Sequence, residues 1–163
     1  MLPPHESGAY AEGMSIPADV LQRRGYRLPT EVEWEYASRA GALTSRYYGH
    51  SINLLDAYAW CQTNSKEHSW ACGSLLPNDL GLFDTLGNVW EWVQDSTRRA
   101  MPSRNQVFSD SIDIAEVIYE KNPRLLRGAT FISRPADVRS ANRNWSAPAG
   151  RSSFYGFRPS RTW

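Results

Sequence analysis

The sequence predicts an irregular α+β domain in which large aromatic side chains, more than long periodic elements, hold the chain together. Three observations carry this. Seven Trp, eight Tyr and eleven Gly occur in 163 residues, a composition that suits loops packed over big side chains and turned at glycines. A single segment, Thr30 to Arg39, has a sharply defined helix start, and the strand-like pieces are short. Between Gly41 and Pro77 no hydrophobic period persists; loops of that length in a compact domain are functional or tied down by aromatics. The chain length suits one domain, residues 1–163, large enough for a real core.

Taken in order, residues 1–14 read as a loose lead-in. Ser15 is placed to cap a short helix with Pro17 in its first turn and Gly25 at its end. Thr30 and Glu33 then form a capping-box pattern ahead of a helix running to about Arg39, with Gly41 available as its stop. Glu31, Glu35 and Arg39 make one narrow polar stripe, with Trp34, Tyr36, Ala37 and Ala40 elsewhere, so a mostly buried helix is expected. In the irregular region, Tyr47, Tyr48, Tyr58, Trp60 and Trp70 are the candidates for tying the loop down. After a polar stretch, strand-like pieces follow around Leu125–Arg127, Thr130–Ser133 and Phe157–Thr162.

Composition narrows the function classes. The formal net charge is +1 with 21% charged residues, and no basic stripe of the nucleic-acid-binding kind is present. No apolar run reaches the roughly 18–20 residues of a membrane span. Met1 to Tyr10 lacks the basic and apolar regions of a signal peptide, so a soluble cytoplasmic location is the expectation. Two cysteines, Cys61 and Cys72, are too few for a disulfide framework and read as semi-buried thiols. No histidine stands at a ligand-like spacing from them.

Three motifs stand in sequence: Tyr26-Arg27-Leu28-Pro29-Thr30-Glu31-Val32-Glu33-Trp34-Glu35-Tyr36-Ala37; Pro77-Asn78-Asp79-Leu80-Gly81-Leu82-Phe83-Asp84-Thr85-Leu86-Gly87-Asn88-Val89-Trp90-Glu91-Trp92; and Arg127-Gly128 with Arg139–Arg143 and Gly156-Phe157-Arg158. In this order they resemble the formylglycine-generating (sulfatase-modifying factor) family over roughly residues 26–163. The resemblance implies a variant of the C-type lectin fold: small twisted antiparallel sheets, two helices and much irregular chain. It also implies that the family's usual N-terminal strands and first helix are missing, or partly replaced by residues 1–25.

The family's oxidases hold copper(I) with two cysteines of the final block, and a soft ion favours sulfur. Here Arg127–Trp163 contains no cysteine, and the matching region around Phe131, Ile132, Ser133, Asp137 and Ser140 offers no soft ligand. No copper and no oxidase activity are expected; His5, His50 and His68 do not match the pattern of the iron-dependent branch either. The resemblance further implies a calcium loop, with ligands from the side chains of Asp84 and Glu91 and the carbonyls of Gly87 and Val89. Carboxylates and carbonyls suit that hard ion. The alternative is a loop whose Asp84, Asn88 and Glu91 bond its own backbone.

The final block alternates framework residues with apparently free ones: Phe131, Ile132, Ser133, Asp137, Asn144, Ser146, Ala147, Gly150, Ser152, Ser153, Phe154 and Tyr155. This pattern resembles the variable region of diversity-generating retroelement proteins, whose adenine-directed mutagenesis randomises asparagine codons. Every residue in the set is Asn or reachable from such a codon. Aromatics and small polar residues on a rigid frame are also the chemistry of an antibody paratope. The reading is a non-catalytic recognition domain that binds an unknown protein or other ligand through this face. The alternatives are a fixed regulatory or binding domain of the same family, an ordinary loop with Phe154 and Tyr155 packed inward, and the copper oxidase.

Overall fold

The computed structural model describes residues 15–97 and 122–163, so the lead-in, His5 and most of the polar stretch before Arg124 lie outside the described residues. The elements are β1 (Gly25–Arg27), α1 (Glu31–Arg39), α2 (Leu55–Tyr58), β2 (Trp90–Ser96), β3 (Arg124–Arg127), β4 (Arg143–Ser146), β5 (Tyr155–Phe157) and β6 (Ser160–Thr162). β1 and β6 form a two-stranded sheet, and the other strands form a four-stranded sheet in the order β4-β3-β2-β5. β3 runs antiparallel to both β2 and β4, but β5 runs parallel to β2. The larger sheet is therefore mixed, where antiparallel pairing was expected. The cause is residues 147–154, which carry the chain from one sheet edge to the other as a crossover rather than a hairpin.

The capping box of α1 is present. Thr30 Oγ1 accepts from the Glu33 N–H at 3.1 Å, and Glu33 Oε2 accepts from the Thr30 N–H at 2.9 Å. Arg27 Nη1 and Nη2 each reach a Glu33 oxygen at 2.6 Å, joining β1 to the helix start. Burial pushes the Glu33 carboxyl up, but hydrogen bonds from Arg27 and Thr30 outweigh it and hold the group below its ordinary value of 4.5. A lowered folded pKa contributes stability that is complete above the unfolded value and disappears as pH falls through the folded one. Glu33→Gln should therefore cost most near neutrality, and urea unfolding below pH 4 should show its gap to the native protein closing.

Three expectations about these elements change. Ala40, not Gly41, supplies the left-handed stop of α1, at φ 48° with its N–H on Tyr36 O. The helix buries only Trp34 and Ser38, while Tyr36 is 75% exposed. Its polar stripe faces inward, because Arg127 on β3 is fully buried and takes Glu31 and Glu35 as counter-charges. In place of the Ser15–Gly25 helix there are turns, with Val20 N–H on Pro17 O and Gln22 N–H on Asp19 O. Pro17 and a single buried apolar residue, Ile16, leave a short helix nothing to pack with.

The sheet has two differently covered faces. Residues directly opposite across strands share a face, so Glu91, Arg127 and Arg143 point toward α1, and Trp92, Leu126 and Asn144 point the other way. The α1 side holds a small core of Trp34, Val93 and Leu125. The other side holds the larger core, which includes Leu55, Leu86, Trp90, Leu126 and Val138.

The aromatic ties of the irregular region form as expected. Tyr47, Tyr48 and Tyr58 pack with ring centroids 4.3–5.5 Å apart, and Trp60 stacks on Trp70 at 4.6 Å. Burial pushes the Tyr48 hydroxyl up to about 12, so it stays neutral in this cluster. Of the strand-like pieces, Leu125–Arg127 falls in β3, but Thr130–Ser133 is a turn in which Ser133 Oγ accepts from the Thr130 N–H. Phe157–Thr162 splits into β5 and β6 at Arg158-Pro159, where proline withholds a ladder donor. Both thiols are free, Cys61 buried and Cys72 exposed rather than semi-buried.

Candidate functional site

The recognition residues lie on loops hung from charged anchors. Arg127, at the end of β3, donates to the carbonyls of Ser140, Ala141 and Asn142 and pairs with Glu35. It thereby fixes the return of the chain into β4. Arg143 pairs with Glu31 at 2.7 Å beside it. Arg46, 5% exposed, donates to Val138 O at 2.9 Å and Pro135 O at 2.7 Å, which pins the 134–138 stretch carrying Asp137. Ser65 Oγ donates to Phe131 O at 2.8 Å, and the Gln62 N–H reaches Ser133 O. These bonds reach the loop through its carbonyls, although Ser133 also holds its own turn through its hydroxyl.

The predicted set divides into side chains that are presented and side chains that support. Ile132, Asp137, Ala147, Ser152 and Ser153 are exposed; Ser133, Asn144, Ser146, Gly150, Phe154 and Tyr155 are half-buried. Phe131 is only 5% exposed and packs on Phe154 with centroids 5.2 Å apart. Tyr155 packs on Trp92 at 5.5 Å. Phe131, Phe154 and Tyr155 are thus removed as presented residues, because each has an apolar partner inside. Gly150 changes role too: a Cβ there would lie 2.9 Å from Ala147 O and 2.5 Å from Ser146 Oγ, so the turn requires glycine.

Apart from Asp137 on the 134–138 stretch, the presented residues fall into two groups. Ile132, Ser133, Ser152 and Ser153 gather around the Phe131–Phe154 contact, while Asn144, Ser146 and Ala147 lie at the β4 edge. Among the described residues no hydrogen bond or ring contact joins the groups; residues 147–154 and the sheet beneath connect them. The sequence reading missed three neighbours. His68 extends the Trp60–Trp70 stack, its ring 4.5 Å from Trp70, and the aromatic density of residues 58–70 was the available signal. Phe157, 71% exposed, passed for framework in the Gly156-Phe157-Arg158 motif, and Trp145, 62% exposed, was assigned to neither set.

The residues mapped for calcium do not fit that ion as they are placed. Glu91 accepts from Trp34 Nε1 at 2.7 Å and from Arg158 Nε and Nη2 at 3.0 and 2.8 Å, so a cation there would face a guanidinium. Asp84 accepts from the Gly73 N–H at 2.7 Å, and Asn88 exchanges two bonds with the Trp70 backbone. These side chains bond neighbouring segments rather than their own loop. The copper donor set does not fit either, since the final block supplies oxygen and carbon where a soft ion needs thiolate.

Small mixed sheets, two helices and long pinned loops make this a C-type-lectin-like fold of the formylglycine-generating-enzyme type. The chain belongs to the sulfatase-modifying factor family, whose enzyme 1-like domain model matches residues 5–162. It is similar to the serine/threonine-protein kinase pkn1 of Chlamydia pneumoniae, 35% identical over 136 residues, covering 82% of this chain and 20% of that protein. It is also similar to the inactive C-alpha-formylglycine-generating enzyme 2 of Bos taurus, 30% identical over 150 residues, covering 83% of this chain and 44% of that protein. The solved structure of Treponema denticola variable protein 1 superimposes with a TM-score of 0.75 at 30% identity, covering 85% of this chain and 48% of that one. The chain therefore spans less than half the length of each of these relatives. Among the described residues no helix is long and apolar enough to cross a membrane.

Proposed function

We propose that this domain is a non-catalytic recognition module whose C-terminal loops form a diversified binding face, as in a diversity-generating retroelement variable protein. The observation that carries the reading is the separation of roles in the final block. Ile132, Asp137, Ala147, Ser152 and Ser153 project outward, while Arg127, Arg46 and Ser65 hold the backbone beneath them. A fixed frame under replaceable side chains suits a surface built to vary, because preorganisation limits the ordering cost of binding. The likeness to a variable protein and the absence of final-block thiols support it. A protein or other ligand is the expected partner, reached through these exposed positions.

Two measurements test the reading. Changing Ile132, Ala147, Ser152 and Ser153 together should move unfolding free energy little, each within about 0.5 kcal/mol. Phe131→Ala should cost about 3–5 kcal/mol, as for a buried aromatic. The second is genomic: a near-copy of the stretch encoding residues 127–158, differing only at adenines and lying beside a reverse transcriptase. Finding no such template would leave a fixed binding domain in place of a diversified one.

A further inference from the structure

The four-stranded sheet ends at β4, and among the described residues nothing pairs with that strand's outer side. An edge strand presents a row of backbone donors and acceptors to any extended chain that meets it. In an antiparallel ladder the N–H and C=O of one residue point to the same side, and on β4 the outward residues are marked by what their amides bond. The Arg143 N–H donates to Asn142 Oδ1 at 3.1 Å, and the Trp145 N–H donates to Asn144 Oδ1 at 2.9 Å. Both outward donors are therefore held by the side chain of the residue before them, a local bond that competes with a further sheet ladder. Trp145 is 62% exposed and shares the α1 side of the sheet with Arg143, while Asn144 points to the other side.

We propose that Asn142 and Asn144 close the β4 edge against strand addition, and that the strand they exclude is β4 of a second copy of this chain. The self-pairing register follows from the outward residues. With two antiparallel copies related by a twofold axis at Asn144, Arg143 of each copy stands opposite Trp145 of the other, and each such pair exchanges its N–H and C=O groups. The same register lays each exposed indole beside a guanidinium on one face, where ring faces attract cations. Arg143 keeps Glu31 as its counter-charge within its own chain, so its charge is already balanced when the copies meet. Another extended chain would find the same backbone groups but not this reciprocal match of arginine and tryptophan. While the asparagine carbonyls hold both donors, the exchange is blocked and the recognition face meets partners through side chains. The inference goes beyond the proposed function and stands on the two amide bonds whether or not position 144 is diversified. Where it is diversified, residues without a side-chain acceptor open the edge.

The test is sedimentation velocity of the whole chain and of Asn142→Ala/Asn144→Ala over a concentration series, with amide hydrogen exchange by NMR as the local readout. The substitutions leave in place the Asn142 carbonyl that accepts from Arg127, so the melting temperature of the dilute variant should hold. The native chain should stay monomeric. The double variant should dimerise at least about tenfold more tightly than the native chain, and its Arg143 and Trp145 amides should gain protection as concentration rises. Adding Trp145→Pro should restore the monomer, because proline removes an outward donor and spares the bonds to β3. Asn144→Ala alone, with Asn142 kept, should dimerise more weakly; it carries the test if the double variant does not fold. A folded variant as monomeric as the native chain would overturn the proposal. So would a native dimer with the Arg143 and Trp145 amides already protected, or an association that survives Trp145→Pro.

Discussion

Arg127→Leu should cost about 3–5 kcal/mol, the range for breaking a buried ion pair from one side, and so remove much of the roughly 5–15 kcal/mol a domain of this kind has. Arg127 is wholly buried. Burial pulls its pKa down, Glu35 and Glu31 push it back up, and the net direction is downward; a guanidinium nonetheless stays charged in proteins. Leucine would leave the Glu35 carboxylate without its buried partner. It would also strip donors from Ser140 O, Ala141 O and Asn142 O, bonded now at 2.8, 3.1 and 2.7 Å. The Trp34 ring, whose centroid lies 5.1 Å from the guanidinium carbon, would lose a cation–π partner. Urea denaturation should show a lower midpoint with little change in slope. Arg127→Lys should fall between, because one ammonium cannot serve a carboxylate and three divergent carbonyls together. Glu35 keeps its bond from Arg39 Nε at 2.8 Å, so Glu35→Gln combined with Arg127→Leu should show a coupling smaller than the Arg127→Leu loss, and an additive result would mean the two residues are not coupled.

That residue also marks where the sequence was legible and where it was not. The capping box at Thr30 and Glu33 could be read because it depends on residues three apart. The aromatic ties could be read because large side chains in an aperiodic segment have few other places to go. The inward turn of Glu31 and Glu35 could not be read, since the partner that draws them in is 92 residues away from Glu35 and surface periodicity alone assigns charge to solvent. The same limit applies to the recognition set. Codon reachability selects Phe131, Phe154 and Tyr155 as readily as Ser152 and Ser153, because it carries no information on packing. Only the Phe131–Phe154 and Tyr155–Trp92 contacts separate support from display. The parallel β2–β5 pair is likewise a property of a crossover path, which short strand signals do not encode.

Gly87→Ala is expected to exceed an ordinary core truncation, at more than about 4–5 kcal/mol, a range reached only through a specific structural conflict. A Cβ at residue 87 would lie 2.2 Å from Trp60 O and 3.0 Å from Trp60 C, and the obstacle is backbone, which cannot rotate away. Nor can either segment retreat cheaply. The Gly87 N–H bonds Gly128 O at 2.7 Å, the Asn88 N–H bonds the same Trp60 O at 2.8 Å, and the Phe131 N–H bonds Asn88 O at 2.7 Å. Three stretches of chain cross at this point, so relieving the clash means detaching the Trp60–Trp70 stack from the loop that carries Phe131 and Ile132. The positive φ of 75° adds strain for any side chain. Gly41→Ala separates the two effects: its φ is 87° but a Cβ there meets nothing within 4 Å, so it should lose only about 1–2 kcal/mol from conformation. If denaturation gives the two variants equal losses, the close approach of Trp60 contributes nothing, and the recognition loop is held by Arg46 and Arg127 without it. A much larger loss at Gly87 would make the glycine of the Gly-Asn-Val-Trp-Glu-Trp motif a fastening point of the recognition face, through its close approach to the Trp60 backbone.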